Sequence, residues 1–203
     1  VAGSKRSSGP APRYEYRVWG ENLAALEARI EEDGHNGQLR KSVETYVVAP
    51  SNPAVNPKIR GGKLDVKVLV QVHEGLEQWE PRFKAAFPLL AEAVRCSFFP
   101  LLGLDAPELQ RDEYTREQLL EDVVRPHPEL MIARIGKRRR GFTIDGCLAE
   151  IATVDFADRS LQTVAIEGVD AAEVIAVGGR IGLVAHENVS YPAEICRLAE
   201  QAA

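Results

Sequence analysis

The chain is poor in the residues that advertise a ready-made chemistry. Its 203 residues include only three cysteines, one methionine and four histidines. Cys96, Cys147 and Cys196 are odd in number and contain no Cys-x-x-Cys, which excludes a closed disulfide framework and a zinc knuckle. Free thiols are expected, and with them a reducing, cytoplasmic setting. His35, His73, His127 and His186 are scattered and make no metal-binding spacing. There is no P-loop, no dinucleotide fingerprint and no Ser/His/Asp signature. No apolar run approaches the roughly 18 residues of a membrane span and no secretory leader is visible, so no membrane partner is expected. A formal net charge of −5 argues against general nucleic-acid binding.

What is present is a bunched set of cations among short alternating runs. A chain this long buries roughly 70% of its unfolded surface and needs no staples. Residues 1–12, rich in Gly, Ser and Pro, read as a disordered N-terminal tail, and 13–203 as a single domain. Arg13 to Trp19 alternates, with Arg13, Glu15 and Arg17 on one face and Tyr14, Tyr16 and Val18 on the other. A helix is expected over Glu21–Glu32, stopped by Gly34 and Gly37, then a strand over Ser42–Val48. Gly61-Gly62 is a hairpin turn that puts Lys58 and Arg60 on one strand and Lys63, Asp65 and Lys67 on one face of the next.

The spacing predicts a helix over Leu76–Val94, interrupted by Pro81 and Pro88, and an irregular stretch over Ser97–Leu109. Thr115–Val124 reads as a short helix, with Thr115 as N-cap and Gln118 completing a capping box. Ile132 to Gly168 then supplies three strands. Five cations lie between Arg134 and Arg140, and the two runs that follow carry one glutamate each, Glu150 and Glu167. A helix interrupted at Gly178-Gly179 and a final amphipathic helix over Tyr191–Ala202 complete the chain. The sum is an α+β protein, an antiparallel β-barrel with helices packed outside.

Arginines on one strand with carboxylates on its neighbours, all on one face, make a polyanion site with room for a divalent metal. The same residues also suit a solvated sheet laced with cross-strand ion pairs. The ordered series resembles the CYTH family, the triphosphate tunnel metalloenzymes. Arg-Tyr-Glu-Tyr-Arg stands where that family opens with Glu-x-Glu-x-Lys, so that Glu15 matches the second glutamate and Arg17 the lysine. Lys58-x-Arg60, Lys67 and Lys137-Arg138-Arg139, with Arg134 just before, resemble its basic strands. Glu150 and Glu167 match its acidic pairs, and Glu187 to Pro192 its closing Ser-Tyr segment. The resemblance runs from about Arg13 to Ala199, with an unusual middle over 76–124.

The resemblance implies an eight-stranded tunnel whose lumen binds triphosphate or polyphosphate. Arg17, Lys58, Arg60, Lys67, Arg134, Lys137, Arg138 and Arg139 would hold phosphate oxygens, because several cations in one barrel offset the self-repulsion of a polyanion. Glu15, Glu150 and Glu167 would hold magnesium or manganese through oxygen. Each acidic pair has lost a member, however. Arg13 and Ala165 stand where glutamates belong, and Ala152 replaces the acidic partner of Glu150. The expectation is therefore polyphosphate binding with weak hydrolysis and little dependence on metal. The alternatives are an active triphosphatase on a nucleotide, thiamine or inorganic triphosphate, and a non-catalytic interaction protein.

Overall fold

The computed structural model describes residues 11–156 and 159–202. The tail expected over residues 1–12 lies outside them apart from Ala11 and Pro12. The strands are β1 (Arg13–Gly20), β2 (His35–Val48), β3 (Val55–Arg60), β4 (Lys63–His73), β5 (Leu76–Ala86), β6 (Leu89–Leu90), β7 (Glu113–Tyr114), β8 (Met131–Ile144), β9 (Cys147–Asp155) and β10 (Ser160–Gly168). Eight of them close an antiparallel barrel in the order β1-β10-β9-β8-β2-β3-β4-β5, while β6 and β7 pair separately. Closure leaves no free sheet edge, so each strand has one face in the lumen and one outside.

The outer face is apolar where helices cover it. Tyr16, Val18, Val164 and Ile166 pack against Leu26 and Ile30 of the helix Ala24–Asp33 and against Val174 and Val177 of the helix Ala171–Ile181. On the other side Val55, Ile59, Leu64 and Val66 pack against Phe98, Phe99 and Leu102, and against Leu119 and Val123. The C-terminal helix Tyr191–Ala202 serves a different purpose. Its Tyr191 and Ile195 join Tyr46, Val48, Ile135 and Val154 in a third cluster that closes one end of the lumen.

Four expectations are corrected. Leu76–Val94 is not a helix, because Leu76–Ala86 is a full barrel strand. Pro81 lies opposite Lys67, where the register shifts between β4 and β5, and a bulge is where a strand tolerates proline. Residues 97–102, at the start of the stretch expected to be irregular over Ser97–Leu109, are helical. The helix Ala171–Ile181 runs through Gly178-Gly179 and ends at Gly182, whose φ of 85° makes the left-handed cap. Strand β2 also begins earlier than expected. Gly34 stops the preceding helix, but Gly37 falls inside β2, near a register shift between His35 and Gln38. The capping box at Thr115 and Gln118 and the Gly61-Gly62 turn form as read. Among the described residues no helix is long and apolar enough to cross a membrane.

Phe98 is fully buried beneath the barrel wall. Phe98→Ala is expected to lose about 3–5 kcal/mol of stability, measured as a drop in the urea midpoint.

Candidate functional site

Strand alternation decides which charged residues meet. On β8, Lys137 and Arg139 face the lumen, where both bond Glu150. Arg134 and Arg138 lie an odd number of residues away and therefore face out. Arg138 reaches Asp155 at 3.7 Å and lines an outer hollow with Leu39, Lys41 and Arg140, while Arg134 is exposed opposite Thr45. These two sequence candidates are thus not brought to the site. A run of consecutive cations on a strand can put only alternate members on one face. On β3, Val55 and Ile59 are buried against the helices, so Lys58 and Arg60 turn inward.

Arg17 is the centre of the assembled cluster and is only 6% exposed. Its Nε donates to Glu15 Oε1 at 2.7 Å, and its Nη1 donates to Glu150 Oε1 at 3.2 Å and to Thr163 Oγ1 at 3.1 Å. Glu150 in turn accepts from Lys137 Nζ at 2.8 Å and Arg139 Nη1 at 3.1 Å. Burial pushes the Glu150 carboxyl up, but Lys137 and Arg17 outweigh it and hold the group far below the usual carboxylate range. Tyr191 lies under the pair, 4.6 Å from both the Arg17 guanidinium and the Lys137 ammonium, and stacks on Tyr46 at 5.4 Å.

Sequence reasoning missed Glu44, which is 1% exposed and accepts from Arg60 at 3.1 Å and from the Tyr46 hydroxyl at 3.1 Å. Its parity with Tyr46 inside an apolar strand was the available signal. Burial opposes its charge, but Lys58, Lys137 and Arg60 outweigh burial and lower its pKa. Lys58 makes no ion pair among the described residues. Burial lowers it to about 8, and the neighbouring Lys67, Arg60 and Lys137 add to the effect. Lys67 faces Glu15 and Glu167 across the lumen and lowers both.

Glu77 was also missed, because the stretch that holds it was read as a helix. It is the register partner of Glu15 on one side, and Glu167 is the partner on the other. Three carboxylates therefore stand side by side on β5, β1 and β10. Burial raises Glu77 to about 7 against the hydrogen bond from Trp79, with Glu15 adding its repulsion. Burial and Glu15 likewise raise Glu167, which pairs with Arg13 at 3.5 Å. Glu15 itself stays low because Arg17 and Lys67 outweigh its burial.

The fit to a divalent ion is mixed. Glu15, Glu77 and Glu167 are the oxygen donors a hard cation requires, and their mutual repulsion is what such an ion would relieve. Glu150 does not fit the metal role expected of it, since both its oxygens are taken by cations. Among the described residues no three acidic, His or Cys groups stand close enough together to form a ligand set.

A raised carboxyl pKa costs the folded state nothing below its unfolded value of 4.5, and progressively more as the pH rises through about 7. Glu77→Gln keeps an acceptor for Trp79 and removes that cost. In chelator-containing buffer it is expected to be more stable than the parent at pH 8, by on the order of 2 kcal/mol, with most of that gain lost by pH 5 and the rest below pH 4.5. Equal melting at pH 8 would show that Glu77 is not under this strain.

No protein-family model matches this sequence, and no curated protein matches it. Solved structures do. PH1819 from Pyrococcus horikoshii OT3 superposes with a TM-score of 0.51 at 12% identity, over 93% of this chain and 99% of that one. PH1012 from the same organism gives 0.50 at 14% identity, over 85% and 90%. HpAC1 from Hippeastrum, described as having a dominant triphosphatase activity, gives 0.46 at 11% identity over 84% and 88%, too loose a likeness to carry an argument. At such identities the likeness is one of fold alone, an eight-stranded antiparallel closed barrel with helices packed outside.

Proposed function

We propose that the lumen binds a triphosphate or polyphosphate compound, with hydrolysis weak and largely independent of metal. The observation that carries this reading is the convergence of Arg17, Lys58, Arg60, Lys67, Lys137 and Arg139 on one lumen stoppered by Tyr191. Lys58 is the most telling of these. A lysine depressed by burial, and further by its cationic neighbours, is drawn back toward its charged form when an anion enters among them. The arginines offer planar forks for paired oxygens, and the lysines offer point charges.

The Mg or Mn implied by the resemblance would polarise a phosphoryl oxygen, but Glu15, Glu77 and Glu167 do not come close enough together to make a ligand set for it, so no step is assigned to a metal. Two features favour modest catalysis. Arg13 stands beside Glu167 and lowers its appetite for a cation, and Glu150 is committed to three cations. The chain's own groups bind, orient and neutralise the phosphates, while Tyr46 and Tyr191 bar water from the closed end. The three free thiols are in keeping with a cytoplasmic setting.

Tripolyphosphate is expected to raise the melting temperature, by about 2.7 kcal/mol of stabilisation at 100 times its dissociation constant. The gain should shrink in high salt, because the contacts are ionic. Affinity should also fall as the pH rises past about 8, where free Lys58 loses its proton. At that pH, calorimetry in buffers of different ionisation heat should report proton uptake on binding, and Lys58→Arg should abolish it. No thermal shift at millimolar tripolyphosphate and low salt would sink the reading. Phosphate release measured with and without Mg or Mn separates the catalytic alternative, for which fast metal-dependent turnover is the signature.

A further inference from the structure

The cation cluster includes one arginine at the level of Arg139 that the sequence did not point to. Strand β2 runs seven residues beyond the segment foreseen from sequence, and this extension places Arg40 directly opposite Arg139 of β8. Both line a cavity of about 430 Å³ at the open end of the lumen, together with Arg17, Gln38, Gly141 and Glu150. Like charges placed opposite each other across a ladder repel, which disfavours the pair unless an anion comes between them. Arg139 is partly neutralised by Glu150, whereas Arg40 is exposed at the rim and has no ion-pair or hydrogen-bond partner among the described residues. It is the cation in surplus.

Gly141 adds a second, independent sign. It sits mid-strand on the lumen face, opposite both Gln38 and Glu150. A Cβ built there meets nothing within 4 Å. Its φ is not positive, so the backbone does not demand glycine. A strand interior gives up packing when it takes glycine, and it commonly does so where a ligand approaches the backbone.

Resting on the phosphate-lumen reading above, we propose that this outer cavity is a subsite for a further phosphate, so that the protein prefers linear chains of four or more phosphates to tripolyphosphate. The lumen is stoppered at Tyr191, so a chain seated among Arg17 and Lys137 can only extend outward, to the level at which Arg139 and Arg40 face each other. Successive residues on one face of a strand are roughly 6.5–7 Å apart, which sets Arg139 one such step above Lys137 and leaves Arg40 level with it. The same chemistry could be presented by an inorganic chain or by a nucleoside tetraphosphate.

The test compares dissociation constants for tripolyphosphate, tetrapolyphosphate, ATP and adenosine tetraphosphate at low salt with chelator, for the parent, Arg40→Ala and Gly141→Val. The parent should bind tetrapolyphosphate roughly tenfold more tightly than tripolyphosphate, the gain of one charge-assisted contact. Arg40→Ala should erase that preference while leaving tripolyphosphate within about twofold, and Gly141→Val should erase it by filling the cavity. Adenosine tetraphosphate matching tetrapolyphosphate would mean that the fourth phosphate is read whatever carries it, and a weaker nucleotide would restrict the subsite to inorganic chains. Equal binding of the two inorganic chains by the parent overturns the proposal. So does an equal loss of both in Arg40→Ala, and so does ATP binding more tightly than tetrapolyphosphate, which would give the cavity to a nucleoside. Tripolyphosphate binding without a length preference sinks this inference alone, whereas no binding of either chain sinks the lumen reading with it.

Discussion

The carboxylate of Glu150 is the constraint on which the rest of the lumen depends. Arg17, Lys137 and Arg139 all point at it, and two of these cations are almost wholly buried. Buried charges are tolerated only when paired and hydrogen-bonded, and removal of one partner strands the others. Glu150 therefore lets the barrel fold with several cations inside it before any ligand arrives. Glu44, two strands away on β2, does the same for Lys58 and Arg60. Under the proposed function each internal carboxylate is also a competitor, because a phosphate would have to draw the cations away from it. The lumen cations are thus preorganised, yet neutralised enough to be stable.

The closed end follows from the same electrostatics. Tyr191 offers its ring face to Arg17 and Lys137 at equal distance, and Trp19 meets it edge-on at 4.8 Å. The segment leading to it is pinned along β1. Val189 donates to the Arg17 carbonyl, Asn188 accepts from the Arg17 amide, and Tyr16 and Trp19 donate to the carbonyls of His186 and Val189. The stopper and the central arginine are therefore held by one continuous set of contacts. Movement of the C-terminal helix would be felt at Arg17.

Much of the site was legible residue by residue. Glu15, Arg17, Lys58, Arg60 and Lys67 lie where alternation put them, because their strands are regular and flanked by clear turns. Arg134 and Arg138 were misplaced by reading a basic run as a unit, when period two divides it between lumen and solvent. Glu77 was lost because the β5 bulge at Pro81 mixes strand and helix spacing over Leu76–Ala86. Arg40 was lost because Gly34 and Gly37 read as a break, while the chain in fact resumes as strand at His35. Local rules fail where tertiary pairing overrides them.

The sequence by itself determined the class of fold, the polarity of each regular strand and the shortage of acidic groups that sets this chain apart from the pattern it resembles. Those are local properties, carried by residue type and a period of two. Only the tertiary structure decided which charges meet. Barrel closure joins β1 to β5, so that Glu77, Glu15 and Glu167 become neighbours across strands far apart in the chain. It also turns Glu150 from an expected metal ligand into the anion that holds three cations, and it brings Tyr191 back to seal the lumen. A pairing partner is fixed by strand order and register, and these depend on how the whole wall closes rather than on any stretch of sequence within it.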